Sequence, residues 1–531
     1  MEPGATDRAR VLVKERIAQA GVDLLAEQYQ VDVELELSDD ELSQRIADYD
    51  ALIVRSATRV DADLLARAER LKVVGRAGTG VDNVDVDEAT RRGVIVANAP
   101  GSNMISAAEH AIGLLLAMAR NIPQAHAALK QGRWDRKKYG GIELADKTLG
   151  VVGFGRIGQQ VARRALALGM HVVAHDPFVA RDRFRELGAE RAESLQDLLA
   201  AAEFVTLHVP LNDETRGLVG TATLARMRDG VRLVNTARGE LVDESALADA
   251  LRSGKIAAAA LDVFSEEPYA GPLLGLDNVV ATPHLAASTE EAQDRAGVIV
   301  AEQVAAALDG GVVSNAVNIP SVGAEDLDVL GPFIPLAGKL GRLAMELAEG
   351  RADRIRLSYL GALAERDTRL LTLAALNGAF QGRGEPVNFV NAPLVATERG
   401  IAVEEEKHLR SRGYTNLLQV TVRANGGHVS VEGTTIGRDD RLWLAGALDY
   451  QIEIELAPLM AFFRYDDMPG VIGRVGTTFG RAGVNIANMA VSRTNQGGKA
   501  LMALSIDTPA PPELVDEFLA AGFDDARFIT L

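Results

Sequence analysis

The chain reads as α/β, built on doubly wound parallel sheets, followed by an α+β segment and a ferredoxin-like unit. Three observations lead there. From Lys147 to Thr282, six short apolar runs alternate regularly with helical stretches, as parallel strands and their crossover helices do. Residues 10–100 repeat the alternation more loosely. From about residue 457 the order is strand, helix, strand, strand, helix, strand, the βαββαβ arrangement. At 531 residues the chain exceeds what one hydrophobic core supports.

In chain order, Val11–Val13, Ala51–Val54 and Val73–Val74 read as buried strands, and Asp61 to Arg70 as a helix. Ser106 to Asn121 is a long apolar helix. Thr148 to Val152, His171 to His175, Phe204 to His208, Val231 to Asn235, Ala257 to Leu261 and Val279 to Thr282 are the six strands of a Rossmann-like unit. Glu290 to Leu308 is a helix long enough to return to the first sheet. Composition shifts near Val317-Asn-Ile-Pro320. Beyond it, helices are expected at 338–349 and 368–380, and strands at 417–422, 428–434 and 450–456. The last unit has strands at 461–465, 485–492, 500–506 and 526–531, helices at 471–482 and 513–521, and a hairpin turn at Asn495-Gln-Gly-Gly. The expected domains are therefore 1–101 with 290–318, then 102–289, 319–456 and 457–531.

A net charge of −18 argues against nucleic acid as a partner. With no cysteine, disulfides, cysteine metal sites and thiol nucleophiles are excluded, and no metal is expected. Met1 to Asp7 lacks an apolar signal core, and the most apolar stretch, Ala111 to Ala119, is about half a membrane span. The expectation is a cytoplasmic protein with no membrane partner.

Gly153-Phe-Gly-Arg-Ile-Gly158 follows one predicted strand and opens a helix. A lone Gly-x-Gly-x-x-Gly is weak among 51 glycines, but this context is the dinucleotide-binding one. Gly153 permits the tight turn, Gly155 the close approach of a pyrophosphate, and Gly158 the packing of helix on strand. Asp176 follows the next strand. A carboxylate there bonds the adenine ribose hydroxyls and repels a 2′-phosphate, so NAD is expected over NADP.

Three further residues stand at or just beyond strand ends: Arg238 in Val234-Asn-Thr-Ala-Arg-Gly, Glu267 in Asp262-Val-Phe-Ser-Glu-Glu-Pro, and His284 in Thr282-Pro-His-Leu. Singly, each has an ordinary explanation: a surface ion pair, a solvated acidic loop, a capped histidine. Around one cofactor cleft they suit hydride transfer at a 2-hydroxy acid. Arg grips a carboxylate through paired N–H bonds, His moves the hydroxyl proton, and Glu orients the ring.

On these motifs the chain resembles the D-isomer-specific 2-hydroxyacid dehydrogenases, in the long phosphoglycerate dehydrogenase form with two extra C-terminal domains. The resemblance implies oxidation of 3-phosphoglycerate with NAD, with Arg238, Glu267 and His284 catalytic. It implies NAD contacts from Thr79, Gly153, Gly155, Arg156, Ile157, Gly158, Asp176, Val209, Thr236, Ala237, Arg238, Asp262, His284 and Ala286. The family often has a polar residue where Val209 stands, so only a backbone contact carries over there. Substrate contacts would come from Arg55, Arg76, Ser102 and Asn103, and the run Arg136 to Lys138 would reach a neighbouring subunit or remain a solvated surface.

Tyr465-Asp-Asp-Met-Pro-Gly470 with Gly483-Val-Asn-Ile486 resembles an ACT domain, implying L-serine at Tyr465, Asp467 and Asn485. Phe389-Val-Asn-Ala-Pro393 marks the intervening domain, whose ligand stays open. A homodimer or homotetramer is implied. Two alternatives stand: a glyoxylate or hydroxypyruvate reductase with the same triad, and a non-catalytic NAD-sensing binder.

Overall fold

A computed structural model describes residues 8–320, 324–384, 387–495 and 497–531. Met1 to Asp7, and Gln496 of the expected hairpin turn, lie outside the described residues.

The first sheet comprises β1 (Arg10–Val13), β2 (Gln30–Val33), β3 (Ala51–Val54), β4 (Val73–Arg76) and β5 (Ile95–Asn98), in the order β2-β1-β3-β4-β5. All pairs are parallel. The helix Glu290–Leu308 lies across it, and a Cβ at Gly75 would stand 2.8 Å from Val304. The chain then pairs at this sheet's edge, with Val317 N donating to Val96 O at 2.7 Å. The helix expected over 61–70 runs only Ala62–Arg67, capped by the Asp61 carboxylate.

The second sheet comprises β6 (Thr148–Val152), β7 (His171–His175), β8 (Glu190–Arg191), β9 (Phe204–Leu207), β10 (Val231–Asn235), β11 (Ile256–Leu261) and β12 (Val279–Ala281). Its order, β12-β11-β10-β9-β6-β7-β8, reverses between β6 and β9, and ligands bind beyond the strand ends at such a reversal. There are seven strands rather than six, because β8 is a two-residue Glu-Arg edge with no apolar signature. The apolar helix starts earlier than expected, spanning Met104–Ala119, and buries Ala108, Ala111, Leu115 and Met118. Residues 99–103 and 282–289 carry the chain between the two sheets.

The third sheet comprises β13 (Ala352–Gly361), β14 (Ala402–His408), β15 (Asn416–Ala424), β16 (Gly427–Ile436), β17 (Arg441–Ala447) and β18 (Tyr450–Glu455), in the order β14-β13-β15-β16-β17-β18. The helices Phe333–Leu347 and Arg369–Phe380 pack on each other through Gly341 and Gly378, where any Cβ would collide with the facing backbone. The first of these begins five residues before the expected start.

The fourth sheet comprises β19 (Leu459–Asp466), β20 (Ile486–Arg493), β21 (Lys499–Ile506) and β22 (Asp525–Thr530), antiparallel in the order β20-β21-β19-β22. Phe463, Phe479, Phe518 and Phe523 fill the space under its helices, with ring centroids 4.6–6.1 Å apart along the Phe463 contacts. The opposite face is not free. Met460, Phe462, Leu501, Ala503 and Ile529 belong to the same core as the third sheet. Among the described residues no helix is long and apolar enough to cross a membrane.

Candidate active site

The first two sheets each deliver residues to the crevice between them. The turn after β6 carries the glycines. Gly153 has φ +90°, a left-handed conformation that favours glycine, and a Cβ there would stand 2.5 Å from His208 O. A Cβ at Gly158 would collide with Gly153 O, so this position is needed for packing. Gly155 differs: a Cβ there meets nothing within 4 Å, and the residue is exposed at the N-cap of the helix Arg156–Ala167. Backbone N–H groups at that helix start face open space, the geometry that holds a pyrophosphate.

Asp176 stands beyond β7. Its two carboxylate oxygens accept from Phe154 N at 2.8 Å and Phe178 N at 2.9 Å, which fixes its orientation beside the glycine turn. Val209 packs its side chain toward Gly153. The neighbouring His208 is held neutral, because burial lowers its pKa to about 4, and its ring pairs with Thr206 at 2.9 Å. Thr236 is buried, and its hydroxyl has no partner. Ile157 and Ala237 are half-buried, Ala286 is buried and Arg156 is exposed. The arrangement therefore fits a dinucleotide: an open glycine, a free helix N-terminus and an oriented carboxylate.

His284 and Glu267 meet directly, with Nδ1 to Oε2 at 2.9 Å. The other Glu267 oxygen accepts from Phe264 N at 3.1 Å. His284 is a non-glycine residue at φ +54°, a conformation that persists where the surroundings impose it. Asp262 imposes it. Its carbonyl accepts from His284 N at 2.8 Å. Its carboxylate, fully buried, accepts from Leu285 N at 2.7 Å, Ala286 N at 2.9 Å, the Thr282 hydroxyl at 2.5 Å and His110 Nε2 at 3.1 Å. Burial alone would raise its pKa, but these donors hold it below the ordinary value. The carboxylate expected to touch NAD is thus occupied by four protein donors.

Arg238 lies across the crevice. Its Nη1 donates to Ala237 O at 2.7 Å, and Nη2 pairs at 3.2 Å with Asp82, which belongs to the turn after β4. Arg76, from β4, has its Nε buried without a partner. Burial and the neighbouring Arg238 charge lower its pKa. Arg55, Arg76, Ser102, Asn103, Glu267 and His284 all line one cavity of about 260 Å³. Thr79 is tied to this wall through its hydroxyl, which donates to Asn103 Oδ1 at 2.8 Å. Ser102 is buried and donates to Ala99 O at 2.9 Å, so its hydroxyl hydrogen is already engaged.

Sequence reasoning missed the supports of this wall. Glu15 accepts from Arg55 N at 2.9 Å, Ala57 N at 3.2 Å and Thr58 N at 2.9 Å. Asn83 Nδ2 donates to Arg55 O at 2.8 Å and Thr58 O at 2.6 Å. Asp82 and His110 were missed as well. These contacts cross tens of residues or more to reach backbone atoms (Glu15, Asn83) or side chains (Asp82, His110), and carry no local motif. Arg136 to Lys138 lie on an exposed stretch outside the cavity, with Lys138 3.7 Å from Asp277.

In the fourth sheet, Asp467 pairs with Arg493 at 2.9 Å and Asn485 Nδ2 donates to Asp507 at 2.6 Å. Tyr465 is buried beside Phe523, and burial raises its pKa. Asp467 and Asn485 stand near opposite ends of β20, roughly 25 Å apart at the rise of an extended strand. One chain does not bring them together.

Among the described residues no cluster of His, Asp or Glu suited to a metal ion is present.

Comparison with known proteins agrees with this architecture. Residues 112–286 match the D-isomer specific 2-hydroxyacid dehydrogenase NAD binding domain, 329–443 the D-3-phosphoglycerate dehydrogenase intervening domain, and 460–523 the ACT domain. D-3-phosphoglycerate dehydrogenase of Archaeoglobus fulgidus is 44% identical over 529 residues, covering 98% of this chain and 100% of its own. That of Methanocaldococcus jannaschii is 44% identical over 510 residues, covering 96% and 97%. Among solved structures, a Paecilomyes thermophila glyoxylate reductase superposes on 59% of this chain and 99% of its own, with a TM-score of 0.54 and 31% identity. The TT0316 protein of Thermus thermophilus covers 58% and 99%, with a TM-score of 0.53 and 38% identity. The sheet reversal, the open glycine turn and the His–Glu pair thus belong to an NAD-dependent oxidoreductase, and the chain is a member of the D-3-phosphoglycerate dehydrogenase family.

Proposed function

We propose that the chain oxidises 3-phospho-D-glycerate to 3-phosphohydroxypyruvate, the first step of phosphorylated L-serine biosynthesis, in the cytoplasm. One observation carries the substrate assignment: Arg55 and Arg76 line the same cavity as the His284–Glu267 pair. A 2-hydroxy acid needs one cation for its carboxylate. Further guanidinium groups facing the reacting end suit a second, phosphate anion.

In this reading Arg238 binds the carboxylate and leaves Asp82 to do so. His284 accepts the hydroxyl proton at Nε2, while Glu267 at Nδ1 holds the ring's tautomer and stabilises the charge it gains. Arg55 and Arg76 hold the phosphate, with Ser102 and Asn103 closing the wall. NAD, when bound, supplies the hydride acceptor. Gly153, Gly155, Arg156, Ile157 and Gly158 would hold its pyrophosphate, Asp176 its ribose, and the Thr79, Val209, Thr236, Ala237 and Ala286 walls the remainder.

The serine assignment rests on the ends of β20. Because β20 is the edge strand of its sheet, two copies pairing antiparallel about a twofold axis would set Asp467 of one beside Asn485 of the other. L-Serine would bind there, near Tyr465, in a homodimer or homotetramer. The proposed domains are 1–101 with 290–318, 102–289, 319–456 and 457–531.

Reduction of phosphohydroxypyruvate, glyoxylate and hydroxypyruvate with NADH, measured separately, tests the proposal. A preference for phosphohydroxypyruvate supports it. A preference for an unphosphorylated acid assigns the cavity to a different reductase, and no turnover with any of them assigns it to a binder.

A further inference from the structure

The network beneath His284 has an outermost member that the reaction itself does not require. His110, half-buried, lies on the helix Met104–Ala119, whose buried residues are apolar or small. Its Nε2 stands 3.1 Å from Asp262 Oδ1 and 3.1 Å from the Thr282 hydroxyl. The hydroxyl lies 2.5 Å from the same Asp262 oxygen and donates to it. Both neighbours of Nε2 are therefore acceptors toward it, which puts a hydrogen on Nε2. The ring's remaining exposure is toward a groove of about 580 Å³ between this helix and β12, lined by Gly113, Leu114, Ala117, Pro123 and Gln124.

We propose that His110 is a positioning residue for proton transfer at His284, acting through Asp262. The inference rests on the reading of His284 as the proton acceptor. Asp262 Oδ1 holds three donors at once: Leu285 N, the Thr282 hydroxyl and His110 Nε2. Two of these flank His284 in sequence. The third comes from the apolar helix 152 residues earlier. It is the one donor that anchors the carboxylate to an element outside the His284 loop. Without it, Asp262 stays tied to the 282–286 segment but loses its fixed point on the helix. The left-handed His284 backbone and the ring's approach to the cavity then relax together. Water entering from the groove takes the vacated place beside the carboxylate and leaves the loop one anchor short.

The test uses the full chain with His110→Ala and His110→Gln. The glutamine amide nitrogen reaches about as far as imidazole Nε2 and supplies the same donor. Three quantities are read: kcat with 3-phosphoglycerate and NAD, the NADH dissociation constant, and the kinetic isotope effect with substrate deuterated at C2. His110→Ala is expected to lower kcat about tenfold, the scale of a small misplacement of reacting groups. NADH affinity should stay within about twofold, and the isotope effect should rise as the chemical step becomes slower. His110→Gln should recover most of kcat. A lower kcat matched by an equal fall in the amount of NADH-binding protein would mean only a loss of active protein and would overturn the proposal. So would an unchanged kcat in His110→Ala, or a glutamine variant as slow as the alanine one. His284→Ala serves as the separate control: turnover retained there removes the acid–base reading itself, whatever His110 does.

Discussion

Glu15→Gln tests whether the substrate wall is held by a half-buried carboxylate rather than by packing. Glu15 is wrapped by the turn that presents Arg55, and it accepts three backbone N–H groups from that turn. Burial raises its pKa, and the three N–H bonds outweigh burial, leaving the value below the ordinary one. In the glutamine variant the amide oxygen can keep the Arg55 and Thr58 bonds. The amide NH₂ must then face Ala57 N, donor against donor. Losing one charge-assisted bond and weakening two others costs about 1.5–3 kcal/mol. If that cost falls on the turn, the binding-competent position of Arg55 is depopulated by the corresponding factor, about 10- to 100-fold. Steady-state kinetics should show KM for 3-phosphoglycerate rising by that order, with kcat within about threefold and KM for NAD unchanged, since the cofactor turn lies on the other sheet. Acidification should act in the same direction. Because the folded pKa is depressed, the stabilisation is complete above the unfolded value near 4.5 and is lost as pH falls through the folded value. An unchanged KM for the phosphorylated substrate alongside a lower melting temperature would refute the reasoning and leave the turn to Asn83 and packing.

Two of the three glycines of the cofactor turn should respond oppositely. Gly155→Ala, with open space at its Cβ, should leave the melting temperature unchanged and weaken NADH binding about tenfold or more. Gly158→Ala, which drives a methyl into Gly153 O, should destabilise by about 1–3 kcal/mol in a denaturant titration. Asp176→Ala should raise kcat/KM for NADP while lowering it for NAD, measured with both cofactors; an unchanged ratio would release Asp176 from the ribose. Phe462→Ala should cost about 3–5 kcal/mol and lower the melting of residues 330–531 as one unit, because Phe462 belongs to the core shared by both C-terminal sheets; two separate calorimetric transitions would contradict that sharing.

Several strands were legible because they are buried on both faces. Thr148–Val152, His171–His175 and Val231–Asn235 are mostly apolar runs ended by a turn, the signature of parallel strands. Ala402–His408 was not, since an edge strand reading Ala-Val-Glu-Glu-Glu-Lys-His buries none of its residues. In Arg354-Ile-Arg-Leu-Ser-Tyr359 the alternation is present, with Ile355, Leu357 and Tyr359 buried, but Arg354, Arg356 and Ser358 keep the run from reading as apolar. At the site, the residues held by local motifs were readable, whereas Glu15, Asp82, Asn83 and His110 were not. Their roles are fixed by which distant backbone or side chain the fold carries to them, and nothing in their own neighbourhoods marks it. The common core of the last two sheets was hidden for a similar reason. Period-two patterning shows that a face is apolar without showing what covers it.

The two segments joining the catalytic sheets have a mechanical consequence. Ser102 and Asn103 ride on one crossing, and His284 to Ala286 on the other. A rotation that widens or narrows the crevice must pivot on these strands of chain, and displacement about a pivot grows with distance from it. His284 therefore stands near the pivot, and Glu267, 2.9 Å away, belongs to the loop after β11 on the second sheet. Arg55, directly after β3, travels with the first sheet. In such a lever, opening or closing changes the reach of the outer walls more than the spacing of groups at the pivot.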